Sequence, residues 1–174
     1  MNKPKLYLLL GLPGSGKTTA AKLISQLTGA VHLSSDNYRL SLFEHPQFTQ
    51  KEHDSLYRTL DSTCELLLKN GTSVVYDANL NRYEHRAEKY ALAKKVGVDV
   101  ELFWLQVDSQ IALERRIDDQ KHILVPDGET PSSMFNRIAS VFEPPQKHET
   151  FTSLDGTKIS ANYIAEQLGL PNAN

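Results

Sequence analysis

Eight residues limit what this chain can become more than any others: Gly11-Leu12-Pro13-Gly14-Ser15-Gly16-Lys17-Thr18. The apolar run Lys5-Leu6-Tyr7-Leu8-Leu9-Leu10 precedes them and reads as a buried strand. Thr19 to Leu27 follows and reads as a helix. A glycine, four residues and then Gly-Lys-Thr, set between a strand and a helix, is the pattern of a phosphate-binding loop. Glycines let main-chain N–H groups close around phosphate oxygens, and the helix N-terminus adds partial positive charge. Lys17 supplies a full charge to the outer phosphates, and Thr18 offers a hydroxyl to Mg²⁺. The candidate ATP-binding residues are therefore Gly11, Pro13, Gly14, Ser15, Gly16, Lys17, Thr18 and Thr19.

The 174 residues suffice for one domain with a sizeable core, and a single domain over 1–174 is expected. A net charge of −2 provides no global basic field to wrap a long polyanion, though gripping one strand end remains open. The single cysteine, Cys64, allows no intrachain disulfide and fits a cytoplasmic home. It falls in an apolar helical pattern, as a structural thiol does. The apolar run at 6–10 is too short for a membrane span, so no membrane role is expected.

Along the chain, a first helix stops at Gly29, and Val31-His32-Leu33 is a short strand leading into Ser34-Ser35-Asp36-Asn37-Tyr38-Arg39. Polar residues just past a strand are where ligands meet open α/β sheets, although Ser35 or Asp36 could equally cap the next helix. Residues 40–51 read as loop. Residues 52–69 form the longest helix, with Leu56, Leu60, Cys64 and Leu67 as its stripe. Ser73 to Tyr76 is a strand closed by Asp77, the placement of a carboxylate that holds Mg²⁺, often through water. A helix to Val96 and a strand from Val98 to Val107 follow, with Trp104 expected in the core. Asp108 or Ser109 caps a helix through Ile111, Leu113 and Ile117 that carries Arg115 and Arg116. Residues 118–130 lack apolar periodicity and suit a lid, taken as approximately 115–135. Thr130-Pro131 starts a helix with Phe135, Ile138 and Val141 inward. A short strand near Phe151-Thr152, a second candidate at Lys158-Ile159, and a helix from Ser160 to Leu168 close the chain. Alternating strands and helices imply a parallel sheet covered on both faces.

Phosphoryl transfer needs a metal anchor, a base near the acceptor, a grip on the acceptor, and positive charge over the moving group. Asp77 beside Thr18 is the metal candidate, and Asp36, past the second strand, is the base candidate. Arg39, one helical turn on, either grips an anionic acceptor or is a solvated arginine. Arg115 and Arg116 could cover the ATP phosphates, although adjacent helical positions face different ways.

Leu33-Ser34-Ser35-Asp36-Asn37-Tyr38-Arg39 resembles the catalytic segment of bacteriophage-type polynucleotide 5′-hydroxyl kinases. Asp77-Ala78-Asn79-Leu80-Asn81, followed by Arg82 and Arg86, is similar to that family's Asp-Thr-Asn-Leu-Asn segment, and Val125-Pro126 with Met134 resembles its post-lid stretch. These segments and Phe142-Glu143-Pro144-Pro145 also resemble small bacterial zeta-toxin-like kinases. The resemblance implies an α/β P-loop fold, a five-stranded parallel sheet in the order 2-3-1-4-5 under a helical lid. It implies Asp36 as general base, Arg39 on the acceptor's phosphate, and Arg115 or Arg116 over the donor phosphates. The chain departs from the family pattern at Ser35 and Ala78, where that family has arginine and threonine. A second lid arginine is replaced by Asp118, Asp119 and Gln120, with only Lys121 and His122 basic nearby. No 3′-phosphatase or ligase domain is expected.

The reading is an ATP- and Mg²⁺-dependent kinase with the 5′-OH of a polynucleotide as leading acceptor. Two alternatives stand beside it. One is a small-molecule kinase acting on a nucleoside, sugar, nucleotide-sugar or antibiotic, which the near-neutral charge favours. The other is a nucleotide-binding switch or ATPase that would need the loop and Asp77 but not Asp36.

Overall fold

The computed structural model describes residues 3–119 and 124–171. Five strands, β1 (Lys5–Leu10), β2 (Val31–Ser34), β3 (Val74–Asp77), β4 (Asp99–Gln106) and β5 (Phe151–Asp155), form one sheet in the order β2-β3-β1-β4-β5. Every neighbouring pair is parallel, so all carboxyl ends meet one edge. β1 is central and buried on both faces, which is why it reads as an unbroken apolar run.

The pleat divides β1 between two cores. Leu6, Leu8 and Leu10 pack with Leu60, Cys64 and Leu68 of α3 (Gln50–Lys69) and with Ala93 of α4 (Tyr83–Val96). Tyr7 and Leu9 pack on the other face with Ala20, Ala21 and Ile24 of α1 (Lys17–Thr28) and Ile164 of α7 (Ala161–Gln167). Burial pushes the Cys64 thiol up to about 12, as expected of a structural cysteine. Three further helices, α2 (Ser35–Leu42), α5 (Ser109–Asp118) and α6 (Pro131–Ser140), flank the carboxyl edge of the sheet.

Several local expectations change. The loop expected from residue 40 begins only after Leu42, because α2 runs on. The α3 stripe ends on Leu68, which is buried, while Leu67 packs half-buried against the same core. Lys158-Ile159 forms no strand; β5 ends at Asp155, whose carboxylate accepts from the Thr157 N–H in a tight turn. Ile111 and Ile117 are exposed because α5 buries only Ala112. Val141 is also exposed, as the residue that ends α6 rather than part of its inward face. Thr130 caps α6 as expected, and Ser133 completes a reciprocal capping box. Trp104 is half-buried, edge-on to Phe151, and packs on the core. Lys121 and His122 lie outside the described residues. Among the described residues no helix is long and apolar enough to cross a membrane.

Candidate nucleotide and acceptor site

Between the carboxyl edge of the sheet and the pair α5 and α6 lies a cleft of about 890 Å³. Its floor is the loop between β1 and α1. Gly14 adopts φ +80°, and a β-carbon there would run into the Ala112 carbonyl of α5. Gly16 caps α1 at φ +98°, a conformation that L side chains rarely take. Pro13, Gly14, Gly16, Lys17, Thr18 and Thr19 line the cleft. Gly11 and Ser15 do not. Ser15 is fully buried, its N–H already donates to the Leu12 carbonyl, and Gly11 packs against its hydroxyl. These two shape the turn from behind.

Lys17 curls over its own loop and donates to the Gly11 and Leu12 carbonyls at 2.8 and 2.9 Å. Burial lowers it to about 8, against the opposing charges of Asp77 and Asp36. Asp77 ends β3 directly beside Ser34 of β2, is 7 % exposed, and accepts from His32 Nε2 at 2.9 Å.

Asp36 stands in the first turn of α2. Ser34, neither Ser35 nor Asp36, caps that helix, accepting from the Asn37 N–H. The Asp36 carboxyl is thus left free of capping. It is solvent-accessible, yet protein rings it within the concave wall. That partial desolvation, with the neighbouring Asp77 charge, raises it, while Arg116, Arg39 and Lys17 pull the other way.

The adjacent arginines of α5 divide their work. Arg115 donates to the Gly156 carbonyl at 2.9 Å and reaches the Gly14 carbonyl at 3.5 Å, tying α5 to the loop. Arg116 is half-buried, its charge is felt by both Asp36 and Lys17, and its Nη2 touches Met134 Sδ of α6 at 3.8 Å.

Facing them is a wall whose parts the sequence reading did not assemble. Arg39 is buried at 6 % rather than surface-solvated, and it lines the cleft. Its guanidinium lies over the Phe48 ring at 4.7 Å and 4.0 Å from the Glu52 carboxylate. Phe48 holds φ +54°, a strained conformation for a bulky residue. Glu52 maintains it by accepting the Phe48 and Gln47 N–H groups at 2.7 and 2.9 Å. His53 and Tyr57, at i and i+4 on α3, meet with tilted rings 4.5 Å apart and complete this side with Asn79 and Asn81. Arg137 of α6, paired with Glu129 at 2.8 Å, is a further cleft cation. Arg86 takes no part in the cleft: it is fully buried, forked onto Glu149 at 2.8 and 2.9 Å, and donates to the Leu80 carbonyl.

Residues 6–145 match the AAA domain family (AAA_33). The chain belongs to that family. No curated protein sequence matches it. Among solved structures it is similar to a kinase-assigned protein of Chloroflexus aurantiacus J-10-fl, at 17 % identity over 97 % of this chain and 98 % of that one, TM-score 0.74. It is similar to a gluconokinase of Sinorhizobium meliloti 1021, at 18 % identity over 97 % and 92 %, TM-score 0.65. It is also similar to a chain of the Pnkp1/Rnl/Hen1 RNA repair complex, at 21 % identity over 82 % of this chain and 47 % of that one, TM-score 0.63. The shared feature is the α/β P-loop kinase fold, and this member of the AAA domain family has its five-stranded parallel sheet.

Proposed function

We propose that this chain transfers the γ-phosphoryl group of ATP to a hydroxyl of an acceptor held against Arg39, Phe48, His53 and Tyr57. The observation that carries the reading is the convergence of Lys17, Asp36, Asp77 and Arg116 on one cleft, from four separate elements. Main-chain groups of the loop and α1 bind the phosphates, and Lys17 exchanges its carbonyl partners for their oxygens. Asp36 accepts the proton from the acceptor hydroxyl, and burial beside Asp77 makes it a stronger base than an ordinary carboxylate. Arg116 stabilises charge on the migrating group, and Arg115 keeps α5 seated on the loop.

Mg²⁺ fits the donor set. It takes few protein ligands beside phosphates and waters, and Thr18 with Asp77 supplies a hydroxyl and a carboxylate on that side of the cleft. When bound, Mg²⁺ neutralises phosphate charge and orients the chain for in-line attack.

The leading acceptor is the 5′-OH of a polynucleotide, on the strength of the segments at 33–39 and 77–81. A small hydroxyl compound is the second reading, favoured by the net charge of −2 and by the sequestration of Arg39 between Phe48 and Glu52. The deciding experiment supplies labelled ATP with 5′-hydroxyl RNA and DNA oligonucleotides beside a panel of nucleosides, sugars and sugar acids. Label on the oligonucleotide 5′ end is expected. Label on neither RNA nor DNA, with saturable transfer to one small compound, transfers the claim to that compound.

A further inference from the structure

His32 has no place in the chemistry just described, yet it makes the one side-chain hydrogen bond found to Asp77 among the described residues. Its location is determined by the sheet. β2 and β3 run parallel with His32 opposite Val75 and Ser34 opposite Asp77. Side chains two apart share a face, so His32 and Asp77 project to the same side, one pleat apart on neighbouring strands. That side is the α1 side, because Val75 packs in the core with Ala20, Ala21 and Ile24. The imidazole therefore reaches Asp77 diagonally, from behind the phosphate-binding loop. Both side chains are largely covered, at 15 % and 8 % exposed.

A carboxylate only accepts hydrogen bonds, so His32 Nε2 carries the hydrogen in this contact. The bond uses Oδ2 and fixes the plane of the carboxylate at a strand end where its torsions would otherwise be free. The other oxygen is left for the cleft, which Asp77 lines beside Thr18. Carboxylates that hold metals are commonly oriented by such a neighbour, and removing it typically costs about 10–100-fold in metal affinity.

We infer that His32 is a positioning residue for Asp77, holding its carboxylate in the orientation that receives Mg²⁺ with the nucleotide. This rests on the reading of Asp77 as the metal carboxylate, and the test separates the two. The full chain is titrated with AMP-PNP, in EDTA and at graded Mg²⁺, by calorimetry, so that no turnover is needed. His32→Phe keeps a ring of similar size without the donor, and His32→Gln restores an N–H. For His32→Phe the Mg²⁺ concentration giving half of the gain in nucleotide affinity should rise about tenfold, with affinity in EDTA unchanged and His32→Gln between the two. An Mg²⁺ response within about twofold of the unsubstituted chain, or a stronger one, overturns the role of His32. Asp77→Asn run in parallel tests the underlying reading: an unaltered Mg²⁺ response there removes Asp77 as the metal carboxylate, whatever His32 does. If His32→Phe does not fold, the ¹⁵N resonances of the His32 ring in the unsubstituted chain decide. They should shift when Mg²⁺ is added to the AMP-PNP complex, and their constancy overturns the proposal.

Discussion

The two halves of the cleft are built on different plans. The donor half is mostly main chain: a short loop, a helix N-terminus and one lysine folded over its own carbonyls. The acceptor half is made of side chains, with Arg39, Phe48, His53, Tyr57 and Asn81 drawn from α2, the loop after it, α3 and the segment after β3. A polyphosphate presents the same oxygens in every nucleotide, so a rigid backbone cradle serves it. An acceptor is particular, and particular shapes need side chains placed from several elements. Under the proposed function, the donor half identifies a class of chemistry, and the acceptor half determines what that chemistry acts on.

Asp36→Asn should sharpen this contrast most. Transfer to the acceptor should fall by about two to four decades in kcat, while the dissociation constant for AMP-PNP stays near normal. Parallel transfer assays and calorimetry read both quantities. An Asp36→Asn chain that retains nucleotide turnover and binding moves the protein to the nucleotide-switch reading.

pH should act on the two halves from opposite sides. In the proposed transfer Asp36 works deprotonated, so its raised basicity should make kcat/KM fall as pH drops through that elevated value. Lys17 works protonated, and burial puts it at about 8, so kcat/KM should also fall as pH rises past that point. Bound phosphates hold the lysine proton, so the alkaline limb should lie higher in kcat than in kcat/KM. Each limb approaches a tenfold change per pH unit. An alkaline limb at the same pH in both profiles would break the assignment to Lys17.

Phe48→Ala should give the smallest effect and the most specific. It leaves the backbone at its positive φ, which alanine does not relieve, and removes the ring beneath Arg39. The acceptor KM should rise up to about tenfold, the nucleotide KM should hold, and Phe48→Tyr should restore the acceptor KM. Equal changes in both constants would mean that the two halves are not separately built.

Local sequence carried the donor half because its parts are contiguous: eight residues, their strand and their helix. Asp77 was legible for the same reason, as the acid that closes an apolar strand. Of the acceptor half only Arg39 was, since Phe48 falls in a stretch with no periodicity, and its meaning comes from Glu52 four residues later. His53 and Tyr57 left one local trace, an aromatic pair at helical spacing beside the Leu56 stripe. Arg86 shows the opposite failure. It sits next to a recognisable segment, but its partner Glu149 is 63 residues away, and only the folded chain shows that it serves the interior.

The contact between Gly14 and the Ala112 carbonyl has a mechanical consequence. The loop and α5 touch backbone to backbone there, and Arg115 rivets the same helix to Gly156. Arg116, the next residue, is thereby indexed to the phosphate cradle. Its guanidinium also meets Met134 of α6, so the one side chain spans both helices above the loop.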